Sequence, residues 1–175
     1  HTCGVKSSGS VECWGYAYYG QSTPPSGSFV SVSAGDLHTC GVNSSGSVEC
    51  WGDDGPGQST PPSGSFVSVN AGLHHTCGVN SSGSVECWGG NTHGYSTPPS
   101  GSFVSVNAGR FHTCGVNNSG SVECWGWDGY GQSTPPSGSF ESVSAGGLHT
   151  CGVKSSGSVE CWGSDGVGQS TPPSG

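Results

Sequence analysis

Apolar and polar side chains alternate in short runs along this chain, and each run reads as a half-buried strand. One complete copy of the pattern holds three of them. Ser28 to Ser33 carries Phe29, Val30 and Val32; His38 to Val42 follows; Ser47 to Gly52 carries Val48, Cys50 and Trp51. Ala34-Gly35 and Asn43-Ser44-Ser45-Gly46 stand between the runs and are turn-forming sequences. No segment shows a helical period. The pattern predicts an all-β fold with one small antiparallel sheet per copy.

The copies return at a constant step of 37 positions. Cys3, Cys40, Cys77, Cys114 and Cys151 form one series, and Cys13, Cys50, Cys87, Cys124 and Cys161 form a second. Residues 1–175 are therefore a single repeat array whose copies begin near 1, 38, 75, 112 and 149, the last incomplete. One repeat cannot bury its apolar face alone, so neighbours must stack, either as β-propeller blades or as an open superhelix of the same units. The first copy opens at His1 without a preceding strand and the last stops before its Phe-Val-Ser-Val run, so the expectation is a window of a longer array.

Folding Thr2 to Trp14 as a hairpin about Ser8 puts Cys3 opposite Cys13 and Val5 opposite Val11, all on one face. Gly9 then falls where the hairpin loop calls for a positive φ. Disulfide-stapled hairpins follow: Cys3–Cys13, Cys40–Cys50, Cys77–Cys87, Cys114–Cys124 and Cys151–Cys161. Pairing between adjacent repeats is the alternative that the spacing leaves open. The Ser-Thr-Pro-Pro-Ser-Gly connector cannot donate ladder hydrogen bonds at its prolines and reads as a crossing segment or an edge cap.

Composition sharpens this picture. With 34 Gly, 11 Pro and no Met, composition alone would indicate disorder, yet six Trp and ten Cys recur in register. The core must be thin, built from Val, Phe, Trp and cystine, and in need of covalent help. The formal net charge is −8, with Lys6, Arg110 and Lys154 as the fixed cations. That balance disfavours nucleic acid and anionic membrane surfaces as partners, and no run is long enough for a membrane-spanning helix. Ten cysteines in a small acidic chain point to a secreted, extracellular setting.

The run Ala34-Gly35-x-x-His38-Thr39-Cys40-Gly41-Val42, then Gly46-x-Val48-x-Cys50-Trp51-Gly52, then Gly57-Gln58, resembles the repeats named after the regulator of chromosome condensation. The short period and the Gln-Ser-Thr-Pro-Pro connector look most like secreted bacterial members, among them a β-lactamase-inhibiting propeller. The resemblance implies β-propeller blades, typically about seven to a ring, and a scaffold role for the repeated His as a backbone-bonding residue between blades. The nucleotide-exchange activity of the chromatin member is not implied, because no matching inserted loop or basic arm is present.

Two stretches vary from copy to copy, and variable loops on a constant frame are where repeat proteins place recognition. One follows each Trp-Gly: Tyr16-Ala17-Tyr18-Tyr19, Asp53-Asp54-Gly55-Pro56, Gly90-Asn91-Thr92-His93, Trp127-Asp128-Gly129-Tyr130 and Ser164-Asp165-Gly166-Val167. The other precedes His-Thr: Asp36-Leu37, His74, Arg110-Phe111 and Gly147-Leu148. Tyr16, Tyr18, Tyr19, Trp127 and Tyr130 are the candidate binding residues, suited to a protein or glycan surface. Asn43, Asn80 and Asn117 lie in glycosylation acceptor patterns at equivalent hairpin tips.

The recurring His and Glu lack the close cysteine pairs of zinc ribbons, calcium at Asp53 and Asp54 is disfavoured, and no nucleophile triad or phosphate loop stands out. The expectation is a protein without enzymatic activity, cofactor or metal. Its first functional expectation is an extracellular structural repeat protein that assembles with itself, head to tail or by edge strands, into a fibre, sheath or surface layer. The alternative is a secreted β-propeller binding module recognising a protein or glycan through the loops after each Cys-Trp-Gly.

Overall fold

The computed structural model describes residues 1–173. It contains fourteen strands and, among the described residues, no helix. β1 (Thr2–Val5) and β2 (Val11–Trp14) form the first unit. The other four units have three strands each: β3 (Phe29–Ala34), β4 (His38–Asn43) and β5 (Val48–Gly52); β6 (Phe66–Ala71), β7 (His75–Asn80) and β8 (Val85–Gly89); β9 (Phe103–Ala108), β10 (His112–Asn117) and β11 (Val122–Gly126); β12 (Phe140–Ala145), β13 (His149–Lys154) and β14 (Val159–Gly163). Every sheet is antiparallel and separate from the others, with the second strand of each triplet in the middle. The strands β3, β6, β9 and β12 touch one another in succession and make the inner side of a propeller-like stack.

Cys3 pairs with Cys13 and Val5 with Val11 in the first hairpin, and the same register recurs in all five units. All ten cysteines are joined within their own hairpins, which closes the inter-repeat alternative. Gly9 turns the first hairpin at φ 86°. Simple alternation fails at one place, the inner strand. Phe29 faces Asn43 while Ser31 faces Val42, so Val30 is an extra residue in a bulge. The bulge puts both Phe29 and Val32 on the core side and leaves Val30 exposed, where strict alternation would have parted them.

Each core is a seam between two sheets. One sheet offers its disulfide and two valines, as with Cys40–Cys50, Val42 and Val48; the next offers Phe66, Val69 and Trp88. Gly78 makes room for the Phe66 ring, since a Cβ there would stand 2.8 Å from its Cδ1. Burial needs the neighbour: Trp14, on the outer face of the first unit, is 59% exposed, whereas Trp51 and Trp88 are 9% and 8% exposed.

A hydrogen-bonded relay crosses the same seams. His38 Nε2 lies 2.7 Å from Thr76 Oγ1, and Thr76 Oγ1 donates to the Gln58 carbonyl at 2.9 Å. Because the hydroxyl proton is committed to that carbonyl, His38 must carry its proton on Nε2 and donate it. Trp88 Nε1 donates to the same carbonyl at 2.9 Å. His1, His75 and His112 repeat the arrangement with Thr39, Thr113 and Thr150. The repeated His thus bridges units as the resemblance implied, but its direct partner is a threonine hydroxyl, which passes the bond on to the backbone. The repeated His and Glu stand at different ends of the hairpin: His38 sits opposite Gly52, and Glu49 opposite Gly41, towards the tip.

The remaining ring nitrogen, Nδ1 of His38, His75 and His112, is buried without a protein partner. A second proton there would be a desolvated charge with no acceptor. Burial accordingly pushes His38 and His112 down to about 4 and His75 to about 3, from the ordinary 6.5.

Three outcomes are expected. Replacing Cys40 and Cys50 together by Ser removes a short closed loop and lowers stability by about 3 kcal/mol, read as a lower denaturation midpoint; reduction of the wild-type protein opens all five loops and lowers the midpoint further. Thr76→Val keeps the shape but strands the His38 donor, costing about 1–3 kcal/mol in urea unfolding. Because these folded pKa values lie below the unfolded one, the unfolded chain binds more protons as the pH falls. Stability is full above pH 6.5 and declines from there towards the folded values near 4 and 3; urea midpoints measured from pH 7.5 to pH 4 follow that decline.

Candidate functional site

The antiparallel register brings both variable stretches to one rim. His38 faces Gly52 and His112 faces Gly126, so the residues just before each His meet the residues just after each Trp-Gly. Backbone bonds join them: Asp53 N–H donates to the Leu37 carbonyl at 2.9 Å, and Trp127 N–H to that of Phe111 at 2.8 Å. The hairpin tips, which open on Asn43, Asn80 and Asn117 in three units and on Lys6 and Lys154 in the first and fifth, lie at the other ends of the same strands. The most variable stretches therefore share a single rim.

The loops on this rim are held by their own polar side chains. Asp54 Oδ1 accepts from Ser59 N–H at 2.7 Å and Oδ2 from Thr60 Oγ1 at 2.7 Å, and Asp128 does the same with Ser133 and Thr134. Asp165 repeats this cap, and the bonds from the Thr171 hydroxyl and the Ser170 amide hold its carboxyl below the usual range. Asp53 accepts from Gln58 Nε2 at 2.7 Å. These carboxylates act as loop caps, and among the described residues no cluster of His, Cys, Asp and Glu is arranged to hold a metal ion.

The predicted aromatic residues form two groups. In the first unit Tyr16 and Tyr18 stack with ring centroids 6.4 Å apart, and Tyr19 meets Tyr18 edge-on at 5.0 Å. Tyr18 is 79% exposed. In the fourth unit Trp127 meets Tyr130 edge-on at 5.4 Å and Phe111 at 6.1 Å. His93, from the preceding unit, joins them at 6.2 Å from Phe111 and 6.3 Å from Trp127. The Arg110 guanidinium lies over the Phe111 ring at 5.1 Å. The sequence pattern marked these loops as variable but did not single out His93, Arg110 or Phe111. The missing signal was the register, which sets position 111 against position 127.

A groove of about 510 Å³ runs beside this rim, lined by the turns that follow the inner strands, from Asp36 through Arg110 to Gly147. Its walls are close-set glycines: a Cβ on Gly109 would stand 2.6 Å from the Gly146 carbonyl oxygen.

The glycosylation patterns fall on the opposite side. Asn80 Oδ1 accepts from the Ser82 and Ser84 amides at 3.0 Å each, while its Nδ2 donates to Glu86 at 2.9 Å. Asn117 pairs likewise with Glu123, and Asn43 with Glu49 at the longer 3.4 Å. In the first and fifth units Lys6 and Lys154 take that place and form ion pairs with Glu12 and Glu160. The repeated Glu is a hairpin-pairing residue. A glycan on any of these asparagines would take one of the two Nδ2 hydrogens and leave a single N–H to donate to the Glu.

Comparison with known proteins agrees with this architecture. The family model of the regulator of chromosome condensation (RCC1) repeat matches residues 29–58, 66–94, 103–132 and 140–169. The ectodomain of the Arabidopsis thaliana receptor kinase ACR4, described as a CRINKLY WD40 ectodomain, superposes with a TM-score of 0.77 at 34% identity, over 97% of this chain and 62% of that one. The ectodomain of the Physcomitrella patens receptor kinase CR4 gives 0.78 at 30% identity, over 99% and 52%. This chain thus spans less than two thirds of either. Prp20p of Saccharomyces cerevisiae shares the fold, with a TM-score of 0.71 at 16% identity over 83% of this chain and 47% of that one. Among curated proteins none matches. The likeness to secreted bacterial members rests on the short period and the Gln-Ser-Thr-Pro-Pro connector. With four of its repeats matched across more than half of its length, the chain belongs to the regulator of chromosome condensation repeat family.

Proposed function

We propose that this chain is a non-enzymatic, extracellular binding module that recognises a protein or glycan with its variable rim. The observation that carries this reading is the gathering of the two most variable stretches at one edge, where the exposed aromatic residues collect, while largely constant residues build the seams. Concentrated Tyr and Trp on a rigid frame give large contact area at small entropy cost. The five disulfides support an oxidising, extracellular setting. So does the likeness to two receptor-kinase ectodomains.

Assembly into a fibre or surface layer is the rival. It would draw on the uniform sheet faces and hairpin tips, yet the exposed aromatic clusters lie away from both. Uniform faces also suffice to explain the internal stacking of one chain. The rim reading accounts for more of the sequence, including why two copies differ so much in aromatic content from the other three.

The test uses a glycan array and a panel of purified extracellular domains, probed with wild-type protein and with a Tyr18→Ala, Tyr19→Ala, Trp127→Ala, Tyr130→Ala variant. A bound ligand is expected whose affinity falls 10- to 100-fold in the variant, with circular dichroism and melting unchanged, because these side chains lie outside the seams. Affinity insensitive to the four substitutions, or long fibres with an axial repeat in electron micrographs of the wild-type protein, would sink the proposal.

A further inference from the structure

Of the three fixed cations, two are spent locally, Lys6 on Glu12 and Lys154 on Glu160, both at hairpin tips. Arg110 is different. It is exposed on the variable rim and, among the described residues, has no carboxylate within ion-pair distance. The equivalent positions in other units are Asp36, Leu73 and Gly147, so the charge is peculiar to this place. In a chain of net charge −8 a lone guanidinium without a partner is an unusual surface feature.

Its surroundings are equally particular. The guanidinium rests over Phe111 at 5.1 Å, and Phe111 packs edge-to-face with Trp127 and His93. Tyr130 closes the group and is 55% exposed. The nearby acid, Asp128, is engaged by Ser133 N–H and Thr134 Oγ1 at 2.6 Å each, so it is held as a loop cap. Stacking on Phe111 restrains the guanidinium and leaves its planar donor edge free for a carboxylate, which it can grip with two parallel bonds.

We infer that Arg110, Phe111, Trp127 and Tyr130 form a docking patch for an acidic protein segment, its carboxylate on Arg110 and an adjoining apolar side chain against Trp127 and Tyr130. This rests on the rim reading and names the partner's chemistry. Trp, Tyr and Arg together are the residue types that dominate protein–protein hot spots. A glycan fits less well. Sugar rings stack on open, flat aromatic faces, whereas here the rings meet nearly at right angles, 84° for Phe111 with Trp127 and 88° for Trp127 with Tyr130. The Trp127 ring also lies against Gly129, where it would block a Cβ.

The probes are arrayed dodecapeptides carrying Asp or Glu beside Leu or Phe, their Asn and Gln twins, and polygalacturonate as an anionic glycan. Binding to the intact chain is followed by tryptophan fluorescence. Acidic peptides with an adjoining apolar residue are expected to bind, at least tenfold better than their amide twins and progressively less well as salt rises. Arg110→Gln should lose that tenfold preference. Arg110→Lys should recover only part of it, since an ammonium lacks the planar fork. Lys6→Gln removes the same charge from the far side and should change nothing.

An acidic peptide that binds no better than its amide twin overturns the inference, as does binding indifferent to Arg110→Gln. Polygalacturonate captured through Arg110 in place of the peptides would overturn it in favour of a glycan. Peptide binding lost only with Tyr18→Ala and Tyr19→Ala would overturn it while leaving the rim reading intact.

Discussion

The structure depends on one backbone carbonyl per seam. At Gln21, Gln58, Tyr95 and Gln132 that carbonyl accepts both a threonine hydroxyl and a tryptophan indole from the following sheet. The threonine in turn accepts from the histidine of the sheet before. One acceptor in the connector thereby ties two sheets together in a nearly dry environment, where a donor left without a partner is costly. The apolar side of the seam is thin, so these bonds also supply what volume alone does not: a single angle between neighbouring units, set anew at every step. The neutral, singly protonated histidine follows from the same arrangement, because the relay has a place for one ring proton and none for two.

The register is what converts this repeated frame into a site. An antiparallel triplet brings the start of its middle strand and the end of its outer strand to the same edge. Residues preceding His38 and residues following Trp51 are separated in sequence yet share a rim, and the same holds in each later unit. Loop caps such as Asp54, Asn91, Asp128 and Asp165 then hold the rim loops from within, using bonds to Ser and Thr of the connector. Side chains between these caps are released from structural duty. That is the physical reason the rim can differ among units while the seams keep the same bonds.

Much of this was legible in the chain. Constant cysteine spacing, the intervening Ser-Ser-Gly and the paired valines imply the hairpin register, and the disulfides follow from it. Other features were hidden because they join positions whose proximity is a property of the stack. The bond from His38 to Thr76 spans adjacent units, and no spacing within one repeat announces it. The bulge at Val30 was concealed by a run that alternates acceptably either way. The acceptor pattern at Asn80 was visible, but its use as a turn cap bonded to Glu86 required coordinates. Likewise Arg110 and Phe111 were recognisable as variable and not as neighbours of Trp127, since that contact exists only after β10 and β11 pair.

The third connector shows how far the frame tolerates change. Tyr95 stands where three other units have a buried glutamine, yet its carbonyl still receives Thr113 at 2.9 Å and Trp125 at 2.8 Å. The seam reads the backbone of this residue and is indifferent to its side chain. The larger ring is accommodated locally: Tyr95 packs 4.6 Å from the His75 ring, and Gly90 leaves room for its hydroxyl, which a Cβ there would approach to 2.7 Å. Gly90 is the rim position that carries Tyr16, Asp53, Trp127 and Ser164 in the other units. A change inside the seam was thus compensated on the rim, within the same loop, without reaching the next sheet. Coupling of that kind is short in range because each unit contacts only its neighbours. It allows a chain of nearly identical repeats to hold a lone arginine and an aromatic cluster at one place on its edge without disturbing the four other units.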